Sequence, residues 1–155
     1  MQNDDTIDIG LADPRTPGIA ALIHELDRYM SALYPAESNH LVDLDRLASS
    51  DVRFFAAAIK GEALGCGAIM LKNGYAEVKR IYVSPGARGL GLGKLIIERL
   101  EQQTRAEGYR LMRLETGTLQ PEALSLFAAM GFARRGPFGD YPVDDPYSVF
   151  MEKKL

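Results

Sequence analysis

The chain has 155 residues, of which 46% are hydrophobic and 25% charged, and its net charge is −3 at pH 7. These values are typical of one globular domain that buries its own core, and they favour neither a disordered chain nor a membrane span. The acidic balance also lacks the basic footprint that nucleic-acid binding requires. We therefore predict a single domain over residues 1–155 that acts on a small molecule, with no nucleic acid and no membrane as partner.

The N-terminus and the cysteine content indicate the compartment. The first ten residues, MQNDDTIDIG, are polar and acidic, and the single cysteine is Cys66. A secretory signal needs an apolar run, and a lone cysteine cannot form an internal disulfide. We therefore expect a cytoplasmic protein. We also expect no metal, because the Cys and His residues do not follow a zinc-ligand spacing.

The N-terminal third of the chain predicts one strand and two helices. Residues 6–12 alternate apolar and polar side chains, as a half-buried strand does. A helix follows, capped by Thr16 with Pro17 in its first turn, and Pro35 ends it. A short helical pattern then covers about 41–48.

The middle of the chain predicts an antiparallel meander of three strands, over 52–60, 61–72 and 75–83. A Lys60-Gly61 turn joins the first two strands. Asn73-Gly74 is a typical type I′ signal and joins the second strand to the third.

The last third of the chain predicts two helices and three strands, in the order helix to about Glu107, strand 110–116, helix 121–130, strand 132–138 and strand 147–154. The helix before 110–116 makes that strand a crossover neighbour of 75–83, so the two should be parallel. The predicted fold is therefore an α+β domain, a mostly antiparallel seven-stranded sheet with a central parallel pair, flanked by four helices.

The strand over 75–83 carries a phase slip. Its apolar residues stand at even positions, Ala76 and Val78, and then at odd positions, Ile81 and Val83. A β-bulge produces such a slip and would splay this strand from its parallel neighbour. The predicted bulge opens a crevice at the carboxyl ends of the pair, where sheets of this kind bind ligands.

A glycine-rich segment, SPGARGLGLGKL, connects this strand to the next helix and sets Gly89, Gly91 and Gly93 at alternate positions. Backbone N–H groups at such a helix start favour an anion. The spacing matches neither the phosphate loop of nucleotide hydrolases nor the dinucleotide-binding fingerprint. The segment therefore predicts a third kind of phosphate-binding loop.

The order of elements, with V-x-P-x-x-R-x-x-G-x-G from Val83 to Gly93 and the Gly131-Phe132 pair after the last helix, resembles the GNAT N-acetyltransferases. The resemblance covers nearly the whole chain, about 6–154. The chain is also similar to a branch of small bacterial acetyltransferases with four further motifs. Here Y-P-x-E-S, L-E-T-G, Q-P-E-A-L and F-G-D-Y begin at Tyr34, Leu114, Gln120 and Phe138.

The resemblance implies acetyl-CoA as cosubstrate, with no metal. It places the pyrophosphate on the glycine-rich loop and the pantetheine arm along the backbone of the bulged strand, with Gln120 adding an amide contact and Phe127 packing nearby. The loop residues are Arg88, Gly89, Leu90, Gly91, Leu92, Gly93 and Lys94, and the strand residues are Ile81, Tyr82 and Val83. A bulge N–H there could also hold the oxyanion that develops in the transfer.

Direct transfer to an amine requires a base and a proton for the thiolate. Glu77 is the first candidate for the base and Glu115 the second, although both could instead be salt-bridged strand residues. The family usually has a tyrosine as acid where this chain has Phe127. Tyr141, Tyr147 or water could substitute, or the thiolate could leave unaided.

Two polar, aromatic segments, 34–40 and 138–147, are expected to wall the acceptor pocket, with Tyr34, Glu37 and Ser38 contacting the acceptor. An enclosed pocket favours a small-molecule amine over a protein tail. A protein acetyltransferase and a non-catalytic acyl-CoA-binding module remain alternatives. The acceptor, the acyl chain length and the oligomeric state are left open, with a homodimer through an exposed strand as one option.

Overall fold

The computed structural model describes residues 6–40 and 42–155. Over these residues the chain forms seven strands and four α-helices, with 3₁₀ turns at Ala36–Ser38 and Pro85–Ala87. The strands are β1 (Ile7–Leu11), β2 (Val52–Ile59), β3 (Glu62–Leu71), β4 (Ala76–Val83), β5 (Leu111–Gly117), β6 (Ala133–Arg135) and β7 (Ser148–Lys154). The helices are α1 (Pro17–Leu33), α2 (Leu44–Leu47), α3 (Leu92–Ala106) and α4 (Pro121–Ala129).

All seven strands form one sheet in the order β1-β2-β3-β4-β5-β7-β6. Each neighbouring pair is antiparallel except β4 and β5, which are parallel and joined through α3. The predicted fold is thereby confirmed, including the central parallel pair.

The helices cover both faces of the sheet. Because successive strand residues point to opposite faces, Phe54 packs in the cluster with α1 and α2, and Phe55 in the cluster with α3 and α4. The same division holds in β3, where Ala68 and Met70 face α1 and Ile69 faces α3. Burial on both faces explains why β2 and β3 read as nearly continuous apolar runs.

The predicted bulge is present in β4. The register between β3 and β4 shifts between Cys66 and Ala68, which pair with Tyr82 and Lys79 respectively. Arg80 lies in the shifted segment with φ 59°, a left-handed conformation that is unusual for a side chain of this size. The parallel pairing of β4 with β5 stops at Val78 and Leu114, so the two strands separate beyond that point.

One predicted turn type and one predicted helix cap differ from the structure. Lys60 and Gly61 both have positive φ, as a type I′ turn requires, whereas at Asn73-Gly74 only the glycine does. The hairpin at 73–74 forms where predicted, but its turn is of another type. Thr16 occupies the N-cap of α1, yet its side chain makes no capping hydrogen bond, and its backbone oxygen accepts from Ala20 at 2.8 Å.

Two predicted elements are shorter than expected. The strand predicted over 132–138 is β6, three residues long, because Gly136 and Pro137 interrupt the pairing. The helix predicted over 41–48 begins at Leu44, since Asp43 caps it by accepting from the Arg46 N–H at 2.8 Å. Leu41 lies outside the described residues.

Candidate active site

The divergence of β4 and β5 opens two adjoining cavities. The larger, about 510 Å³, lies beside the glycine-rich loop and is called the outer cleft. The smaller, about 110 Å³, lies deeper between the two strands and is called the inner cavity. Both are lined by four common residues, Ile81, Gln120, Ala123 and Leu126, which form the junction between them.

The outer cleft is built on the start of α3. Gly91 is the N-cap with φ 78°, and Gly89 has φ 86°, conformations that glycine adopts without strain. The first helical hydrogen bond runs from Leu95 N–H to Gly91 O at 3.1 Å, so the N–H groups before it have no partner within the helix. A Cβ atom on Gly93 would lie 2.9 Å from Leu126 Cδ2, which shows how closely α3 approaches α4.

Most of the residues predicted to hold the cofactor meet at this cleft. Lining it are Ile81, Tyr82, Val83, Arg88, Gly89, Gly91, Leu92, Gly93, Lys94 and Gln120. Leu90 is 55% exposed and is not among the lining residues, and Phe127 lies in the inner cavity instead. The exposed Arg88 donates from Nε to the Val83 carbonyl at 3.3 Å, which holds its charge near the loop.

Glu115 provides a carboxylate to the inner cavity from β5. Its Oε2 accepts from the Ser148 hydroxyl at 2.7 Å. Burial raises the pKa of this carboxyl above its usual value, more than the Ser148 hydrogen bond and the nearby His40 and Lys79 lower it. A half-buried carboxylate held by a hydroxyl rather than a cation is a stronger base than a solvated one.

Glu77 and Tyr141 are brought together, but neither is among the lining residues of the inner cavity. The Tyr141 hydroxyl donates to Glu77 Oε2 at 2.5 Å, and burial followed by the Glu77 charge raises the Tyr141 pKa. Lys79 Nζ donates to the Tyr141 hydroxyl and lies 3.2 Å from Glu77 Oε2. Glu77 is only 4% exposed, so its carboxylate is enclosed by these two partners.

Asp145 joins the two segments that wall the inner cavity. Its Oδ1 accepts from the Ser38 hydroxyl at 3.1 Å and from the Tyr147 N–H at 2.9 Å, and its Oδ2 lies 3.1 Å from His40 Nε2. The Tyr147 N–H is the largest cause of a lowered Asp145 pKa, and the His40 and Ser38 hydrogen bonds add to it. Glu37 is exposed and does not line either cavity.

The sequence reasoning missed three polar residues at the inner cavity. Lys79, Arg80 and His40 line it, and Asp145 stands behind His40. Arg80 is paired with Asp27 at 2.5 Å, a contact between residues far apart in the chain. His40 alone carried a signal, since it ends the polar YPAESNH segment.

Tyr34 reaches the inner cavity from the end of α1. Its hydroxyl accepts from the Leu119 N–H at 3.0 Å and donates to Gln120 Oε1 at 3.2 Å. Its ring meets that of Tyr147 edge-on, with 5.7 Å between centroids. Burial raises the pKa of the Tyr34 hydroxyl above its usual value. The ring packs so closely on Gly117 that a Cβ atom there would collide with it.

The described residues contain neither a metal-binding cluster nor a membrane-spanning helix. Among residues 6–40 and 42–155, no three or more His, Cys, Asp or Glu side chains form a group that could hold a metal ion. The helices of this same part of the chain are each too short or too polar to cross a bilayer.

Two proteins with similar sequences are named as acetyltransferases. The chain is 48% identical over 151 residues to an IAA acetyltransferase of Azospirillum brasilense, which covers 96% of this chain and 98% of that one. It is 32% identical over 140 residues to the uncharacterized N-acetyltransferase YsnE of Bacillus subtilis, covering 88% and 92% of the two chains.

Solved structures share the fold over almost the full length. One from Klebsiella pneumoniae, named among the acyl-CoA N-acyltransferases, has a TM-score of 0.85 at 37% identity and covers 97% of this chain and 99% of its own. PaiA N-acetyltransferase from Thermoplasma acidophilum, in complex with coenzyme A, has a TM-score of 0.75 at 16% identity and the same coverage, which shows the fold alone. A model of the acetyltransferase (GNAT) family matches residues 19–132. The chain therefore belongs to the acetyltransferase (GNAT) family and is an acyltransferase.

Proposed function

We propose that the protein transfers the acetyl group of acetyl-CoA to the amine of a small molecule, by direct attack of that amine. One observation carries this proposal: the outer cleft beside the start of α3 leads through a common junction into an inner cavity that contains the carboxylate of Glu115. An acyl donor held in the cleft and an amine held in the cavity would meet at the junction.

The residues of the outer cleft fit coenzyme A. Cβ atoms on Gly89 and Gly91 would meet no heavy atom within 4 Å, so the space beyond the loop is open to a ligand. The unpartnered N–H groups and the positive end of the α3 dipole suit pyrophosphate oxygens, and Arg88 and Lys94 add positive charge. Bound acetyl-CoA supplies the acetyl group as a thioester.

The splayed part of β4 suits the arm that connects pyrophosphate to thioester. Because β5 leaves β4 after Val78, the backbone of Ile81, Tyr82 and Val83 borders the cleft without β5 as its neighbour. An extended amide-containing chain can pair with such a strand edge. An N–H of the bulge is our candidate for holding the carbonyl oxygen as it gains negative charge.

We assign the base to Glu115 rather than Glu77. Glu115 lines the inner cavity, where an acceptor amine would lie, and burial raises its pKa, which makes the carboxylate a stronger base than a solvated one. Glu77 is enclosed by Tyr141 and Lys79, and a proton would have to reach it through one of them. The Glu77 cluster then has a structural role in holding the 138–147 segment against β4.

The walls of the inner cavity favour a small acceptor. Its volume of about 110 Å³ is below that of a cavity that holds benzene, so only a compact group fits without movement of the walls. The relative named IAA acetyltransferase supplies one candidate acceptor for a panel. The alternatives are a protein acetyltransferase and a binding module without catalysis.

Acetyl-CoA binding is tested by thermal unfolding. A ligand that binds only the folded state raises the melting temperature, so acetyl-CoA should do so while ATP and NAD should not. The double variant Arg88→Ala/Gly91→Asp should lose the effect, since its aspartate would face the pyrophosphate. An unchanged shift in this variant would remove the loop from the site.

Transfer is tested by release of free thiol from acetyl-CoA over a panel of amines, amino acids, polyamines and the acceptor of the Azospirillum relative. Glu115→Gln should lower turnover about 10²-fold at neutral pH and leave acetyl-CoA binding intact. Glu77→Gln is the matched variant in the neighbouring strand. If it lowers turnover and Glu115→Gln does not, Glu77 is the base. Tight acetyl-CoA binding without turnover of any acceptor would favour the binding module.

A further inference from the structure

We propose that the Tyr34 hydroxyl is the acid that protonates the sulfur of coenzyme A as it leaves. This inference rests on the proposed function and names a catalytic group for it. In this chain residue 127 is a phenylalanine, 5% exposed, that lines the inner cavity and packs edge-on against Phe132 at 5.7 Å. Its side chain has no proton to give, so a protein donor, if the leaving sulfur is protonated by one, lies on another element.

The Tyr34 hydroxyl is a hydrogen-bond donor in the inner cavity, next to the junction. Its hydroxyl donates to Gln120 Oε1 at 3.2 Å, and Gln120 is one of the four junction residues that line both cavities. An acyl donor whose phosphates lie in the outer cleft and whose acetyl group reaches the inner cavity must place its sulfur near this junction. A sulfur there can replace Gln120 Oε1 as acceptor of the Tyr34 proton.

The backbone fixes the Tyr34 hydroxyl in position. It accepts the Leu119 N–H at 3.0 Å, and the tyrosine ring packs against Gly117, where only a hydrogen leaves room for it. An accepted N–H bond favours the anionic oxygen once its proton has left, so the same contact that positions the hydroxyl supports its action as an acid.

Three other donors nearby, Tyr141, Lys79 and His40, have partners of their own. Tyr141 donates to Glu77 at 2.5 Å and is not among the residues lining the inner cavity. Lys79 is held by Tyr141 and Glu77, and His40 by Asp145. Tyr147 also lines the inner cavity and meets the Tyr34 ring edge-on, so its hydroxyl is the competing donor that Tyr147→Phe tests.

Two proton transfers accompany the proposed acyl transfer. The amine nitrogen forms a bond to the carbonyl carbon, the C–S bond breaks, and its electron pair goes to sulfur. The amine attacks in its neutral form. The Tyr34 O–H proton moves to that sulfur, and the one proton that the attacking nitrogen loses as it becomes an amide moves to Glu115. The net change is acetyl amide and free thiol, and exchange with water returns Glu115 and Tyr34 to their starting states. Burial raises the pKa of Tyr34, so its hydroxyl carries its proton at neutral pH.

The first experiment compares Tyr34→Phe with Tyr109→Phe, which removes a hydroxyl outside the site. Tyr34→Phe should lower kcat about 10²-fold, the lower end of the usual range for an acid because a thiol is a good leaving group. The dissociation constant for acetyl-CoA should stay within a factor of about three, since the ring remains. Unchanged kcat in Tyr34→Phe, or an equal loss in Tyr109→Phe, would overturn the proposal.

The second readout needs no acceptor and no turnover. The thiol of bound coenzyme A is titrated by the ultraviolet absorbance of its thiolate, in the wild type and in Tyr34→Phe. A hydrogen bond from Tyr34 stabilises the thiolate, so the variant should raise the pKa of the bound thiol by about one pH unit. Equal values in the two proteins would overturn the proposal even if the enzyme's acceptor is still unidentified.

Rescue separates an acid from a residue that only shapes the loop. Phe127→Tyr places a hydroxyl on the neighbouring wall of the inner cavity. The double variant Tyr34→Phe/Phe127→Tyr should therefore have a kcat at least about tenfold higher than that of Tyr34→Phe alone. A structural defect in the 34–40 segment would not respond to this change. If rescue is absent and the bound thiol has the same pKa in Tyr34→Phe as in the wild type, Tyr34 has a structural role. Loss of turnover in Tyr147→Phe instead would transfer the acid to Tyr147.

Discussion

Substitution of Gly117 by alanine tests the close contact on which the position of Tyr34 depends. Gly117 ends β5 with an ordinary strand conformation, so alanine brings no backbone strain there. The three atoms nearest to an added Cβ all belong to Tyr34: its hydroxyl oxygen, Cζ and Cε1. The ring must therefore move, because an added methyl group would overlap its hydroxyl end.

The cost follows from what the ring gives up. Overpacking of a filled site costs ~1–3 kcal/mol. Displacement also breaks the hydrogen bonds of the Tyr34 hydroxyl to Leu119 and Gln120, each worth ~1 kcal/mol. We expect Gly117→Ala to lower the free energy of unfolding by about 3–5 kcal/mol. Turnover should fall as well, since the hydroxyl leaves the junction.

The assay is urea unfolding followed by far-ultraviolet circular dichroism, because the chain has no tryptophan. Gly10→Ala is the matched control: it also adds a methyl group to a strand glycine, but nothing lies within 4 Å of that Cβ. In the Tyr34→Ala background the cost of Gly117→Ala should largely disappear, because the three atoms nearest to the added Cβ have been removed. A cost equal to that of Gly10→Ala, or one that persists without the Tyr34 ring, would refute the reasoning.

Three further predictions concern the sheet and the cavity. Glu115→Gln should be more stable than the wild type at pH 7, because the raised pKa of Glu115 means that the folded state loses stability as pH rises from the unfolded value of 4.5. Urea midpoints of the two proteins should converge below pH 4.5, and a constant difference would contradict the assignment. Arg80→Gly and Arg80→Ala both lose the Asp27 ion pair, but φ 59° suits glycine, so Arg80→Ala should be less stable by about 1 kcal/mol in the same assay. Equal midpoints would show that the bulge relaxes. Asp145→Asn should raise KM for the acceptor severalfold and leave the calorimetric acetyl-CoA affinity unchanged. The change weakens the contacts of residue 145 to His40, Ser38 and the Tyr147 N–H, none of which lines the outer cleft. A change in acetyl-CoA affinity alone would contradict this.

Local chemistry in the sequence was enough for the order and type of the elements. The alternation of apolar residues around the sheet, the proline and glycine positions at helix ends and the phase slip in 75–83 each depend on neighbours within a few residues. The glycine-rich loop was predictable for the same reason. Three glycines before a helix indicate by themselves a backbone that needs their conformational freedom. The same locality limited the turn prediction, since both pairs end in glycine but only Lys60-Gly61 has positive φ at both residues.

The partners of the polar residues were decided by the tertiary structure. Glu77, Lys79 and Glu115 were all visible in the sequence, but which of the two carboxylates would face the cavity depended on how β4 and β5 separate and where the 138–147 segment folds back. Tyr34 meets Gln120 across 86 positions of the chain, and Arg80 meets Asp27 across 53. Periodicity reports which face of an element is buried, but a hydrogen bond between distant elements depends on their relative placement to within an ångström, and that is fixed only when the whole core packs.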